Sequence, residues 1–176
     1  MADLRQQMRE NLKGRVCLIG LGNPDYGDDG LGVQLAEELI AEGVGGVMVG
    51  GRNPEHCISG AGADGYDHMV FVDAVEFGGK PGSVVFLDSA QMKARFPQVS
   101  THKISLSVLA MWVESAGSTR AWLLGVQPVS IKPGGPVSEQ VKTTLGVLKQ
   151  LILEFQGHKG AAPSAGAAPR SRGKQP

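Results

Sequence analysis

From Val16 to Ile40 the chain reads VCLIGLGNPDYGDDGLGVQLAEELI: an apolar run, a glycine-rich turn, two adjacent carboxylates, then an amphipathic segment. A short apolar run bounded by glycine, residues 15–20, is the pattern of a strand buried on both faces. Over residues 30–42, Leu31, Leu35, Leu39 and Ile40 share one stripe of a helix, with Gln34, Glu37, Glu38 and Glu42 opposite. Strand, tight turn and helix in that order open a parallel α/β fold. A phosphate-binding loop at this place would offer backbone N–H groups to an anion. Here Asp28 and Asp29 supply the anion themselves, so the turn suits a cation or a polar peptide group.

The alternation continues along the chain. Residues 44–50, 68–74, 83–87 and 120–126 read as further strands, and 105–115 and 137–155 as helices. Residues 51–66 form a loop with room for one short helix, and an irregular stretch leads to residue 105. This predicts an α/β three-layer αβα sandwich around a mostly parallel five-stranded sheet with one antiparallel strand. The antiparallel member is expected to be 83–87, folding back beside 68–74 across the turn EFGGKPG. Residues 1–14 form a polar, helix-compatible N-terminal extension, 15–156 a single domain, and 157–176 a basic tail expected to be disordered.

The tail holds Lys159, Arg170, Arg172 and Lys174 and no acid, leaving 13 basic against 17 acidic residues in the body. A body of that sign argues against nucleic acid, whose binding draws on Lys and Arg at phosphates. The first 15 residues are too charged for a signal peptide, and no apolar run approaches the roughly 18 residues of a membrane span. A cytoplasmic monomer is the expectation. Cys17 and Cys57 form no CxxC pair.

Ligands of open parallel sheets bind beyond the carboxyl ends of the strands. Asp29 leaves the first strand, Asp73 closes the third, and His102 lies in the QVSTHKI loop before a helix, so all three are expected at that edge. Two carboxylates and an imidazole suit a borderline divalent ion such as zinc or nickel. Each also has a plainer reading. Asp28 or Asp29 caps the helix, Asp73 closes an Asx turn, and His102 is a solvated loop residue. Ser100 and Thr101 read as helix caps, His56 and Cys57 as loop residues, and Trp112 and Trp122 as core. There is no HExxH, no GxSxG and no GxxxxGK(S/T). The dinucleotide fingerprint breaks at its third glycine, and the second strand ends in Val49 and Gly50 with no acid for a ribose.

Three motifs in order, GLGNPDYGDDGLG after a strand, VFVDAVEFGGKPG in mid-chain and STHKISL before a helix, together resemble the NiFe-hydrogenase maturation proteases. Members of that family are endopeptidases that remove the C-terminal extension of the hydrogenase large-subunit precursor after nickel insertion. The similarity spans 16–155, and the GGRNPEH loop and LLGVQP strand end look closest to the formate-hydrogenlyase (hydrogenase 3) branch. Val49 stands where relatives in that branch often carry an acid.

The resemblance implies that Asp29, Asp73 and His102 are the metal-contacting and catalytic residues of an aspartyl-type protease; Asp28 is expected to orient a ligand from behind. It also implies nickel recognised in the precursor. Another divalent ion at the same place would polarise the scissile carbonyl or activate a water. The loops Gly51–His56 and Gln127–Pro133 are expected to dock the large subunit. A chaperone that binds the subunit without cutting it is an alternative reading. LIGLGNPDYG also resembles the opening of peptidyl-tRNA hydrolases, but GDDG follows Tyr26 where that family needs its catalytic histidine.

Overall fold

The computed structural model describes residues 3–63, 65–96, 105–115 and 117–157. Strands β1 (Val16–Leu21), β2 (Val47–Gly51), β3 (His68–Ala74), β4 (Val84–Asp88) and β5 (Arg120–Val126) make one sheet in the order β2-β1-β3-β5-β4. Every pairing is parallel except that of β4 with β5. Helices α1 (Leu4–Asn11), α2 (Leu31–Ala41) and α6 (Glu139–Gly157) cover one face, and α3 (Glu55–Ala63), α4 (Ser89–Arg95) and α5 (Leu106–Ser115) the other. The three-layer αβα sandwich is therefore present as the alternation of strands and helices predicts.

β1 shows why. All six of its residues are buried, and their side chains divide by the two-residue period of a strand. Val16 and Leu18 join the core under α2 and α6, while Cys17, Ile19 and Leu21 join the core under α5. A strand with apolar side chains on both faces is satisfied only when helices cover both faces. Burial of each large apolar side chain contributes about 1.5–3 kcal/mol, so an interior position for β1, between β2 and β3, follows from its composition.

Several expectations are corrected. β4 does not form a hairpin with β3; β5 lies between them and β4 pairs with β5 from Val84↔Val126 to Asp88↔Trp122. β5 is buried from Ala121 to Val126, whereas β4 is only partly buried. The more apolar strand therefore takes the inner position. The segment after β3 instead wraps over the end of β5, where Gln127 Oε1 accepts from the N–H groups of Phe77 and Gly79 at 2.9 and 3.1 Å.

The irregular stretch after β4 contains α4, begun by a capping box in which Asp88 accepts from the Gln91 N–H and the Gln91 side chain accepts from the Asp88 N–H. Ile40 and Trp112 are about half exposed, so neither is core; Trp122 is buried and stacks on Phe86 at 5.0 Å. His56 and Cys57 lie in the first turn of α3 and not in a loop.

At the amino end, α1 is polar overall yet buries Met8 and Leu12 against α2 and α6, and Arg5 pairs with Glu154 at 3.0 Å. The expected tail beyond residue 157 lies outside the described residues. No helix among the described residues is long and apolar enough to cross a membrane.

Candidate functional site

In the sheet, β2 and β3 lie on opposite sides of β1. The connections leaving β1 and β3 therefore diverge, which opens a crevice at the carboxyl ends of these two strands. Asp29 and Asp73 both stand at this edge. Asp29 sits in a single 3-10 turn, Gly27–Gly30, that joins β1 to α2 and packs against β3. Asp73 is the penultimate residue of β3.

Small residues permit the approach. Gly32, in the first turn of α2, faces the carbonyl oxygens of Val72 and Leu21, and a Cβ there would overlap both. Gly22, at the end of β1, has φ +112° and lies against the Asp29 carbonyl, which excludes a side chain on both counts. The backbone thereby brings the acidic turn onto the ends of β1 and β3.

The two carboxylates differ in their bonding. Asp29 is 5% exposed; its Oδ2 accepts from the Asn23 N–H at 2.8 Å. Its Oδ1 is buried and has no hydrogen-bond partner among the described residues. A buried carboxylate oxygen left unpaired is costly, and such atoms mark places completed by a ligand, an ion or water. Asp73 is 1% exposed, and its Oδ1 accepts from the Ala74 N–H at 2.9 Å. That is a local side-chain-to-backbone bond of the kind an Asx reading anticipates.

His102 lies outside the described residues, together with Ser100 and Thr101. Among the described residues no three His, Cys, Asp or Glu side chains group to hold a metal.

Asp28 does not cap α2: the residue at that cap is Gly30, with no side-chain bond. Its carboxylate turns away and accepts from the N–H groups of Val129, Ser130 and Ser138 and from the Ser138 hydroxyl. Sequence reasoning had no signal for this, because the partners are more than 100 residues away. It also passed over His68, which is buried at the opposite edge of the sheet. There the Trp122 indole N–H, which can only donate, reaches His68 Nδ1 at 3.1 Å. The proton therefore sits on Nε2, which donates to the Lys13 carbonyl at 2.8 Å. This histidine is committed to structure.

Cys57 is likewise occupied. Its thiol donates to the Val49 carbonyl at 3.6 Å, and burial pushes its pKa up, away from the thiolate a nucleophile needs.

Residues 32–155 match the HycI family model, described as hydrogenase maturation protease. The hydrogenase 3 maturation protease of Escherichia coli is 29% identical over 151 residues, which cover 84% of this chain and 95% of that protein. Among solved structures, the crystal structure of a NiFe hydrogenase maturation protease HycI from Thermococcus kodakarensis KOD1 superposes with a TM-score of 0.73 at 32% identity. That alignment covers 82% of this chain and 93% of the other. The solution structure of the endopeptidase HycI from Escherichia coli gives a TM-score of 0.70 at 27% identity, covering 83% and 92%. The chain belongs to the hydrogenase maturation protease family.

Proposed function

We propose that this protease cuts the C-terminal extension from a NiFe-hydrogenase large-subunit precursor once nickel has been inserted, and that Asp29, Asp73 and His102 meet that nickel. The observation that carries the reading is the buried Oδ1 of Asp29, without a partner among the described residues, at the carboxyl edge where Asp73 stands near the end of its strand. A carboxylate oxygen desolvated by the fold and left without a donor is poised for an incoming cation. Nickel is here part of the substrate, and its arrival supplies the charge that Asp29 lacks. Metallation then licenses cutting, because a precursor without nickel leaves the acidic pocket uncompensated. When bound, a divalent ion also polarises nearby carbonyl oxygens and water, whether it arrives in the precursor or separately.

The protein's own contribution is positional. The Asn23 N–H fixes Asp29 through Oδ2, which leaves Oδ1 as the oxygen available to a ligand. The exposed residues of the β2–α3 loop, Arg52 and Asn53, and of the β5–α6 loop, Val129 and Ser130, are the surfaces proposed to dock the large subunit. The chain is proposed to act as a cytoplasmic monomer, a state that suits the like charge of its acidic body.

Incubation of the purified chain with nickel-loaded and nickel-free precursor tests the reading. Shortening of the loaded form alone is expected. Tight binding without shortening would instead mark a chaperone, the reading that family membership disfavours. The His102→Ala variant is expected to lose processing while keeping the wild-type circular dichroism spectrum. Normal processing by that variant would remove the histidine from the site.

A further inference from the structure

We propose that Asp28 is a positioning residue that fastens the β5–α6 loop, residues 127–138, as one wall of the cleavage site; this rests on the proteolytic reading above. Asp28 is 1% exposed, and its two oxygens accept four hydrogen bonds from that loop. Oδ2 takes the Val129 N–H at 2.7 Å, the Ser130 N–H at 3.2 Å and the Ser138 hydroxyl at 3.0 Å. Oδ1 takes the Ser138 N–H at 2.6 Å. The Asp28 N–H donates in return to the Ser130 carbonyl at 3.0 Å, and the Gly134 N–H reaches the Asp25 carbonyl at 2.9 Å. Both ends of the loop are thus tied to the turn that carries Asp29.

A carboxylate can only accept, and every partner here is a donor, so no neutral side chain of this size replaces it. The loop needs such a tie. It has no helix or strand of its own, contains Gly134 and Gly135, and is largely exposed. Freed, it would gain the backbone entropy of an open segment. Fastened, it presents Val129, 49% exposed, bonded to Asp28, the chain neighbour of Asp29, whose Oδ1 has no partner among the described residues. The two neighbouring acids therefore divide the work: Asp29 faces the ligand, and Asp28 holds the wall against which the substrate rests.

The test uses full-length chain and nickel-loaded precursor. Asp28→Asn preserves size but sets an NH2 group against backbone donors, and Ser138→Ala removes one of the four bonds. In Asp28→Asn the amides of residues 129, 130 and 138 are expected to lose hydrogen-exchange protection, with KM for the precursor rising about tenfold and kcat changing little. Ser138→Ala, which keeps three bonds and a secure fold, is expected to raise KM about threefold. Wild-type KM in a variant whose loop has lost protection would show that the wall is not used, and unchanged protection in both variants would show that Asp28 does not hold it. A fall in kcat alone would also overturn the proposal, because a merely structural lesion or a disturbed Asp29 acts there. If wild type leaves the precursor intact, the proteolytic reading fails and the wall with it. The exchange data then decide separately whether Asp28 fastens the loop.

Discussion

Gly32 has no room for a side chain, because the carbonyl oxygens of Val72 and Leu21 already occupy that space. Its value lies in proximity: it lets α2 start directly on the ends of β1 and β3, which brings Asp29 to the edge where Asp73 sits. Gly32→Ala should therefore cost roughly 1–3 kcal/mol, as overpacking of a tight contact does, read as a lower urea midpoint. Precursor processing should fall more steeply than stability in conditions where the variant remains folded. Adjacent Asp28 and Asp29 illustrate what side-chain identity leaves open. The pair was visible in the sequence as an acidic turn, but its division into an anchoring and a ligand-facing carboxylate depends on Val129, Ser130 and Ser138. Those residues are remote in the chain and of ordinary type, so nothing local distinguishes the two acids.

Helices and strands were legible wherever one hydrophobic period ran unopposed. β3 and β5 begin and end where their apolar runs do, at His68–Ala74 and Arg120–Val126. α4 is missed, its stretch reading as irregular, because the helix is short and its hydrophobic pattern weak; the capping box from Asp88 to Gln91 is its one local signal. Asp88→Ala should destabilise the protein by about 1 kcal/mol in equilibrium unfolding.

Between α2 and α6, Lys149 bonds Glu38 at 3.3 Å and Glu42 at 3.4 Å. The Gln34 hydrogen bond, then Lys149, hold the Glu38 carboxyl below its usual pKa. Glu38, then Glu42, hold the Lys149 ammonium above its usual pKa. A lowered carboxylate stabilises fully above its ordinary value of 4.5 and loses that contribution as pH falls through the lowered one. A raised ammonium stabilises fully below 10.5 and loses its contribution as pH rises through the raised value. The Tm difference between wild type and Lys149→Gln should thus be flat between these limits, small throughout, and shrink at both extremes; a difference that grew on acidification would contradict the pairing.

For the molecule as a whole, stability is shared across two cores on either side of one sheet, and the amino-terminal helix belongs to the larger of them. Met8 is 1% exposed although its helix is mostly polar. Met8→Ala should cost about 2–5 kcal/mol, detected as a shift of the whole unfolding transition and not as loss of a frayed end. The sequence by itself determined the layered α/β class, the burial of β1 on both faces and the presence of acids at the carboxyl edge. These follow from hydrophobic periodicity and from the fixed polarity of parallel strands, both of which act over a few residues. The tertiary structure alone decided that β5 separates β3 from β4, that Trp112 faces solvent while Trp122 is buried, and that Asp28 is bound to Ser138 across 110 residues. Such choices are settled by competition among distant surfaces for burial and among distant donors for a buried acceptor, and no stretch of chain carries that competition within itself.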